Sequence, residues 1–396
     1  MLCAALAAPV ATADSLSLPQ ALATALEHNP DMAAARQEIG IADGARRQAG
    51  LIPNPELSVE VEDTRRNTST TTVTLSQPLE LGGKRGARIE VASVGQTLAQ
   101  MTLERQVNDL RAEVTQAFHA ALRAQTGVEL AQQSLELTGR GLRVVEGRVR
   151  AGKSSPVEAT RAEVQLAEAR LQLSRAESEK TTAWRQLAQI TGSNVTTFDR
   201  LQAPSLSPGL PPDPERMLAR IERTAELRQA VAQIEQNEAA LGSEKAQRIP
   251  DLTVSLGSQY DRAERERVNV VGLSLPLPLF DRNQGNVLAA ARRADQSRDL
   301  RNAVELRLRS ETRTALNQWA TAMGEVDAYD KTILPAARQA VDTATRGFEM
   351  GKFGFIEVLD AQRTLITARE QYLAALAAAT DARARVERIY GDLGTP

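Results

Sequence analysis

Four short segments of the chain alternate apolar and polar residues with a period of two, which is the pattern of a β-strand with one apolar and one polar face. The pattern predicts one strand pair at about 55–63 and 71–80 and a second at about 251–260 and 268–278. Each strand has roughly the 9–11 residues that cross a bilayer when tilted. An ordinary soluble hairpin is the alternative interpretation. The apolar positions are Leu57, Val59 and Val61; Val73 and Leu75; Leu252, Val254 and Leu256; Val271, Leu273 and Leu275.

A long tract with few prolines follows each strand pair, and its apolar residues recur every three or four positions, as in amphipathic helices. The predicted long helices cover about 84–150 and 156–191 in the first half, and about 286–350 and 355–390 in the second. Only Pro335 breaks the third of them. A helix of about 65 residues is about 100 Å long.

Heptad spacing appears in the second long helix of each half. Val157, Val164 and Leu171 lie seven residues apart, and so do Val358, Leu365 and Tyr372. This spacing is typical of coiled coils. A soluble antiparallel coiled coil would explain these helices but not the strand pairs.

The two halves repeat one plan. Gly152 and Lys153 recur as Gly351 and Lys352 at a constant offset of 199 residues, and Glu158 recurs as Glu357 at the same offset. We therefore predict an internal duplication of one large unit. The first structural repeat covers 14–200 and the second 213–392, and a Pro-rich linker at 201–212 joins them.

The amino terminus indicates where the protein is located. Residues 1–13 form a short apolar run ending in Ala-Thr-Ala, which resembles the end of a secretory signal peptide, and the lone Cys3 lies inside it. We predict a signal-peptide remnant and an exported protein; a frayed tail is the alternative.

The charge balance gives no indication of nucleic-acid binding. The chain has 48 Lys and Arg residues and 50 Asp and Glu residues, so it lacks the basic excess of nucleic-acid-binding proteins. The chain has no run of eighteen or more apolar residues, so we predict no transmembrane helix.

No sequence motif strongly indicates a nucleotide-binding, metal-binding or catalytic site. Residues 147–154 (GRVRAGKS) match the phosphate-loop spacing, but a long charged helix precedes them where a buried strand is needed. The histidines are His28 and His119, far apart, and we interpret His119, beside Phe118, as a packing residue. We predict no metal site, no cofactor and no enzymatic activity.

Four strands cannot close a barrel, because membrane barrels have at least about eight strands and an open edge in lipid leaves backbone groups unpaired. If the strands span a bilayer, several copies must share one barrel, and three copies supply about twelve strands. The polar faces would then line a wet lumen, and the valines and leucines would face lipid. The polar positions are Ser58, Glu60, Glu62, Thr253 and Ser255.

Three stretches carry a family resemblance: PLELGGKRGAR at 78–88, IPDLTVSLGSQYDR at 249–262 and LPLPLFDRNQGNV at 275–287. With the order of elements, they resemble the TolC family of outer-membrane efflux channels, and in particular its cobalt–zinc–cadmium (CzcC-like) cation-efflux branch. The resemblance implies a mainly α protein with a small β part. It further implies a homotrimer whose twelve-stranded barrel lies in the outer membrane of a Gram-negative bacterium and continues as a long periplasmic α-helical barrel.

The resemblance also implies partners and sites. A periplasmic adaptor protein and an inner-membrane resistance–nodulation–division pump would complete a tripartite assembly. The family's periplasmic gate with its acidic ring falls on Glu357 and Asp360, with Phe353 where other members carry a basic residue. The turns would dock the adaptor; plain turns and a solvated helix face are the alternatives. The turn residues are Gly152, Lys153, Gly351, Lys352 and Phe353.

The sequence therefore predicts a passive exit channel, exporting divalent heavy-metal cations in our first hypothesis. Organic compounds or drugs are the alternative cargo. A soluble periplasmic coiled-coil adaptor is a further alternative.

Overall fold

The structure, a computed structural model, describes residues 15–65, 67–192, 200–202 and 207–393. The signal-peptide remnant predicted at 1–13 and its Cys3 lie outside the described residues, as does part of the linker predicted at 201–212. Helices dominate the described chain. They are α1 (Leu18–His28), α2 (Pro30–Ala49), α3 (Lys84–Arg150), α4 (Pro156–Thr191), α5 (Pro214–Leu218), α6 (Ala225–Ala246), α7 (Gln284–Ala328), α8 (Leu334–Glu349) and α9 (Phe355–Tyr390). The strands are β1 (Ser15–Ser17), β2 (Glu56–Glu62), β3 (Thr70–Leu79), β4 (Arg200–Gln202), β5 (Leu252–Asp261) and β6 (Glu266–Ser274).

The two strand pairs form one antiparallel sheet in the order β2-β3-β5-β6. The register places large apolar residues in one row across all four strands, and each of them is exposed in the single chain: Leu57, Leu75, Leu256 and Val271. The opposite face is polar apart from Val268 and Val270 of β6, and on it the hydroxyls of Ser76 and Ser255 lie 2.9 Å apart. The sheet therefore has one exposed apolar face and one mainly polar face.

β6 ends earlier than the alternation predicted. The predicted strand runs to about 278, whereas the ladder ends at Ser274. Pro276 and Pro278 have no backbone N–H to donate, so pairing cannot continue through them. The period-two pattern of apolar residues nevertheless continues beyond the strand, at Leu275, Leu277 and Leu279.

The helix predicted at about 286–350 is two helices joined by a π-helical turn, Tyr329–Ile333. Pro335 explains the position of this turn. Its ring crowds the carbonyl four residues earlier, at Lys331, and it leaves that carbonyl without the usual helical donor. The backbone adjusts in the turn preceding the proline.

The chain divides into two compact units, and each takes segments from both repeats. Unit 1 contains Met1–Ala33, Arg105–Thr224 and Arg307–Pro396; unit 2 contains Ala34–Glu104 and Ala225–Leu306, including the four-stranded sheet. In unit 1, β1 pairs in parallel with β4, a contact that the sequence patterns did not predict. No helix among the described residues has the length and mean hydropathy needed to cross a membrane.

The two heptad series differ in burial. Val358 and Leu365 are 2% and 4% exposed and belong to the core of unit 1. By contrast, Val157, Val164 and Leu171 are each more than half exposed on α4. α4 faces the core through other residues, which include Ala162 and Ala169. An apolar stripe on α4 thus remains exposed in the single chain.

Candidate functional site at the helical tips

Two helix–turn–helix tips lie in unit 1, one between α3 and α4 and the other between α8 and α9. Both turns have the same backbone. Gly152 and Gly351 adopt positive φ angles of 67° and 72°, which glycine tolerates because it has no Cβ. The glycine N–H groups donate to the carbonyls of Val149 and Phe348, each at 2.9 Å. The lysine N–H groups that follow donate to carbonyls five residues back, at 2.8 Å. Each tip is therefore a Schellman motif, which satisfies the last carbonyls of the first helix.

The helix that leaves each turn starts differently. At the first tip, Ser155 caps α4, and its hydroxyl accepts a hydrogen bond of 3.3 Å from the Val157 N–H. At the second tip, Gly354 is the N-cap of α9 and has no side chain to cap with. A Cβ at Gly354 would lie 2.9 Å from a Glu357 carboxylate oxygen. Glycine thus leaves room for the first acid of the predicted pair.

All of the predicted site residues are at the tips. Glu357 and Asp360 are exposed on the first turns of α9, one helical turn apart, so they share a face. Lys153, Lys352 and Phe353 are exposed in the turns. The first tip has Glu158 and Arg161 at the positions equivalent to the acid pair. Only the second tip therefore presents two carboxylates.

Arg148 links the two tips, a role that the sequence patterns did not predict. Its guanidinium Nη1 donates a 2.7 Å hydrogen bond to the Phe348 carbonyl. The guanidinium carbon Cζ lies 4.5 Å from the centre of the Phe348 ring. Its Nε donates to the Ser154 hydroxyl at 3.1 Å. A cation at the C-terminal end of α8 also interacts favourably with the helix dipole. The asymmetry of the repeat was the available signal, because the residue equivalent to Arg148 is Gly347.

An apolar cluster lies beneath this link and joins all four helices of the tips. The Phe348 and Phe355 rings are 5.4 Å apart at an interplanar angle of 50°. The Phe353 ring packs on Gly347, and a Cβ added at Gly347 would overlap the ring. The buried members of the cluster are Val145, Ala162, Ala344, Phe348, Phe355 and Val358. The two tips therefore share one core.

Elsewhere in unit 1, His119 lies beside Phe118 in an edge-to-face arrangement, with ring centroids 5.8 Å apart. Burial, together with the charges of Arg123 and Arg383, lowers the pKa of His119 to about 4. The imidazole is therefore neutral at physiological pH. Across the described part of the chain, no three His, Cys, Asp or Glu side chains gather in a way that could hold a metal ion.

The model of the family described as "Outer membrane efflux protein" matches residues 21–193 and again 219–392. The two matches together span most of the chain, and each falls on one of the two repeats.

Among characterised proteins, the chain is 39% identical over 383 residues to the cobalt-zinc-cadmium resistance protein CzcC of Cupriavidus metallidurans, covering 97% of this chain and 92% of that protein. It is 28% identical over 291 residues to the nickel-cobalt-cadmium resistance protein NccC of Alcaligenes xylosoxydans xylosoxydans, covering 70% of this chain and 64% of that protein.

Among solved structures, the fold resembles the transmembrane channel protein CusC with a TM-score of 0.78 and 18% identity, over 94% of this chain and 92% of CusC. At that identity the match concerns the fold, which is the TolC-type architecture that the sequence predicted.

Proposed function

The chain belongs to the outer membrane efflux protein family, and on that premise we propose that it is the outer-membrane exit channel of a tripartite efflux system exporting divalent heavy-metal cations. The observation that carries this proposal is the 39% identity, across nearly the whole chain, to a cobalt-zinc-cadmium resistance protein. A second relative is named for nickel, cobalt and cadmium resistance. Both names point to the same class of cargo.

The sheet supports a shared barrel. Its edge strands β2 and β6 have no partner on their outer sides within the described sheet, and one face is apolar and exposed. Lipid cannot satisfy open backbone edges, so strands that span a membrane must pair across copies. Three copies with four strands each would close a barrel of about twelve strands, within the known range. The polar face would then line the lumen.

The helical unit supports the same assembly. The exposed stripe of Val157, Val164 and Leu171 on α4 has the heptad spacing of a helix–helix contact. A neighbouring copy in a trimeric helical barrel would cover this stripe. The periplasmic location of the helices and the homotrimer are parts of the proposal.

At the tips, we assign Glu357 and Asp360 to an acidic ring at the periplasmic gate. Three copies would place about six carboxylates around one opening, which attracts cations. We assign the turns to docking of a periplasmic adaptor, which would couple the channel to an inner-membrane pump of the resistance–nodulation–division type. The turn residues are Gly152, Lys153, Gly351, Lys352 and Phe353.

Deletion of the gene tests the cargo. The deletion strain should tolerate several-fold less cobalt, zinc and cadmium, and a plasmid copy should restore growth. Tolerance to several drugs, measured in parallel, is the control. If metal tolerance were unchanged and drug tolerance were lost, we would conclude that the cargo is organic compounds and not metal ions.

Cell fractionation tests the location. We expect a heat-dissociable trimer in the outer-membrane fraction. Recovery of the protein as a soluble monomer would favour a periplasmic adaptor instead.

A further inference from the structure

The two faces of the four-stranded sheet carry charges of opposite sign. On the polar face, every charged residue of the described strands is acidic: Glu56, Glu60, Glu62, Asp261 and Glu266. On the apolar face, the described strands carry one charged side chain, and it is the cation of Arg267. A charge on an otherwise apolar face needs an explanation, because lipid-facing charges are costly away from the membrane surface.

Arg267 lies at the loop end of β6, the end of the sheet away from the long helices. Its register partner is Tyr260 of β5, and Tyr260 is in turn paired with Thr71 of β3. Neighbouring strands are about 4.8 Å apart, so a guanidinium, a phenol and a hydroxyl occupy one row across three strands. Each of these groups can donate a hydrogen bond. The apolar face therefore ends in a row of donors.

The guanidinium of Arg267 is exposed, and among the described residues it forms no hydrogen bond or ion pair. The hairpin of β2 and β3 is built differently. There the Arg65 Nε donates to both carboxylate oxygens of Asp63, at 2.9 and 3.0 Å. The residue equivalent to Arg267 in the first repeat is Ser69, which is buried. The second hairpin alone therefore presents a cation without an acid to neutralise it.

We propose that Arg267, with Tyr260 and Thr71, binds the phosphate of a phosphorylated glycolipid in the outer leaflet of the outer membrane. The inference rests on the proposed function, which places the apolar face against lipid and the long helices in the periplasm. The loop end of the sheet then reaches the outer leaflet, where phosphorylated glycolipid is abundant. A guanidinium binds phosphate through two parallel hydrogen bonds. The acyl chains of the same lipid would lie along Leu256 and Val271.

A second copy of the chain is the competing partner, because β6 is an edge strand that a shared barrel would pair with β2 of the next copy. The acids of β2 lie on the polar face, away from Arg267. Asp63, just beyond β2, already accepts hydrogen bonds from Arg65 and, at 2.6 Å, from the Thr68 hydroxyl. The residues of β2 on the apolar face cannot neutralise a cation: Leu57, Val59 and Val61. This arrangement favours lipid over the next copy.

Native mass spectrometry of the detergent-purified trimer tests the site. The protein is titrated with lipid A, the phosphorylated anchor of that glycolipid, and with lipid A whose phosphates have been removed. We expect one phosphorylated molecule per copy, bound with several-fold higher affinity than the dephosphorylated form. Arg267→Gln should abolish this preference, and Arg267→Lys, which keeps the charge but lacks the planar fork, should retain part of it. Arg265→Gln is the matched control, because it removes the same charge from the exposed turn two residues earlier.

The outcomes separate this site from the proposed channel. Equal affinity of the unaltered protein for the two forms of lipid A would overturn a phosphate site. An equal loss in the Arg265 and Arg267 variants would assign the preference to the overall charge of the loops. Displacement of lipid A by the same concentration of inorganic phosphate would replace the lipid by a free anion. Each of these results leaves the channel standing if the trimer is found in the outer-membrane fraction, whereas a soluble monomer would overturn both proposals.

Discussion

The two helical tips have one backbone and two sets of side chains. Both turns end in the same Schellman motif around a glycine with positive φ. At the first tip, Arg148 and Ser154 form a polar pair; at the equivalent positions of the second tip, Gly347 and Phe353 form an apolar contact. The duplication thus preserved what the turn requires and changed what the turn presents. Differences between the copies, rather than their similarities, indicate the task of each.

The differences are also complementary. The first tip contributes the cation of Arg148, and the second contributes the acceptor, the Phe348 carbonyl, together with the ring beneath the guanidinium. That carbonyl oxygen also accepts from the Gly351 N–H, so both of its lone pairs are used. One tip therefore completes the helix end of the other, and the two are expected to move together.

Removal of Arg148 should give the largest effect on this comparison. Arg148→Ala removes a charged hydrogen bond and a cation–π contact, so we expect a loss of about 1–2 kcal/mol in the free energy of unfolding. Thermal unfolding of the detergent-purified protein, followed by helical circular dichroism, would show the loss as a lower midpoint. Arg148→Lys, which keeps the charge but lacks the planar fork, should give an intermediate value.

Arg150→Ala is the matched control. Arg150 is exposed in the same last turn of α3, so its removal changes the charge at the helix end without touching the second tip. We expect a change within about 0.5 kcal/mol. Equal midpoints for the Arg148 and Arg150 variants would contradict a link between the tips.

Much of this architecture was predictable from the sequence because its signals are local. The 67-residue helix α3 and the start of α9 follow from continuous periodicity and from glycine and proline punctuation. The faces of the strands follow from alternation. The constant offset between Gly152 and Gly351 revealed the paired turns. Each of these features depends on residues close together in the chain.

The remaining features depend on contacts between distant residues, and the sequence could not place them. The Arg148–Phe348 bond joins residues 200 positions apart. The three-residue pairing of β1 with β4 is too short to leave a pattern. The heptad spacing of Val157, Val164 and Leu171 predicted a helix–helix contact. It could not show that no helix of the same chain covers these residues, which stay more than half exposed. The acid pair was read from the family resemblance, and its role in the gate stays a prediction.

Alanine in place of either of two glycines near the tips should have a smaller effect, a gain at one position that is cancelled at the other. Gly147 and Gly347 lie near the ends of α3 and α8. No heavy atom lies within 4 Å of the Cβ that Gly147→Ala would add, so we expect stabilisation of about 0.5–1 kcal/mol. Gly347→Ala would displace the Phe353 ring, and that loss should cancel the gain.

A double variant identifies the cause of the cancellation. In a Phe353→Ala background, Gly347→Ala should recover the stabilisation seen for Gly147→Ala, because the ring is no longer there to be displaced. The midpoint of thermal unfolding is again the measurement. If Gly347→Ala stabilised the unaltered protein as much as Gly147→Ala does, the packing of Phe353 on Gly347 would be refuted.

The smallest effect on folding, and the one that bears on transport, concerns the acid pair. Glu357→Gln with Asp360→Asn changes exposed carboxylates, so the free energy of unfolding should stay within about 0.5 kcal/mol. The preference for cations should fall, because about six carboxylates leave the ring of a trimer. Reversal potentials under a salt gradient in planar bilayers measure this preference. Glu158→Gln with Glu163→Gln removes as many carboxylates from the first copy and is the matched control. If the control lowered cation preference equally, net charge and not the second tip would set selectivity, and the asymmetry of the repeat would not mark the gate.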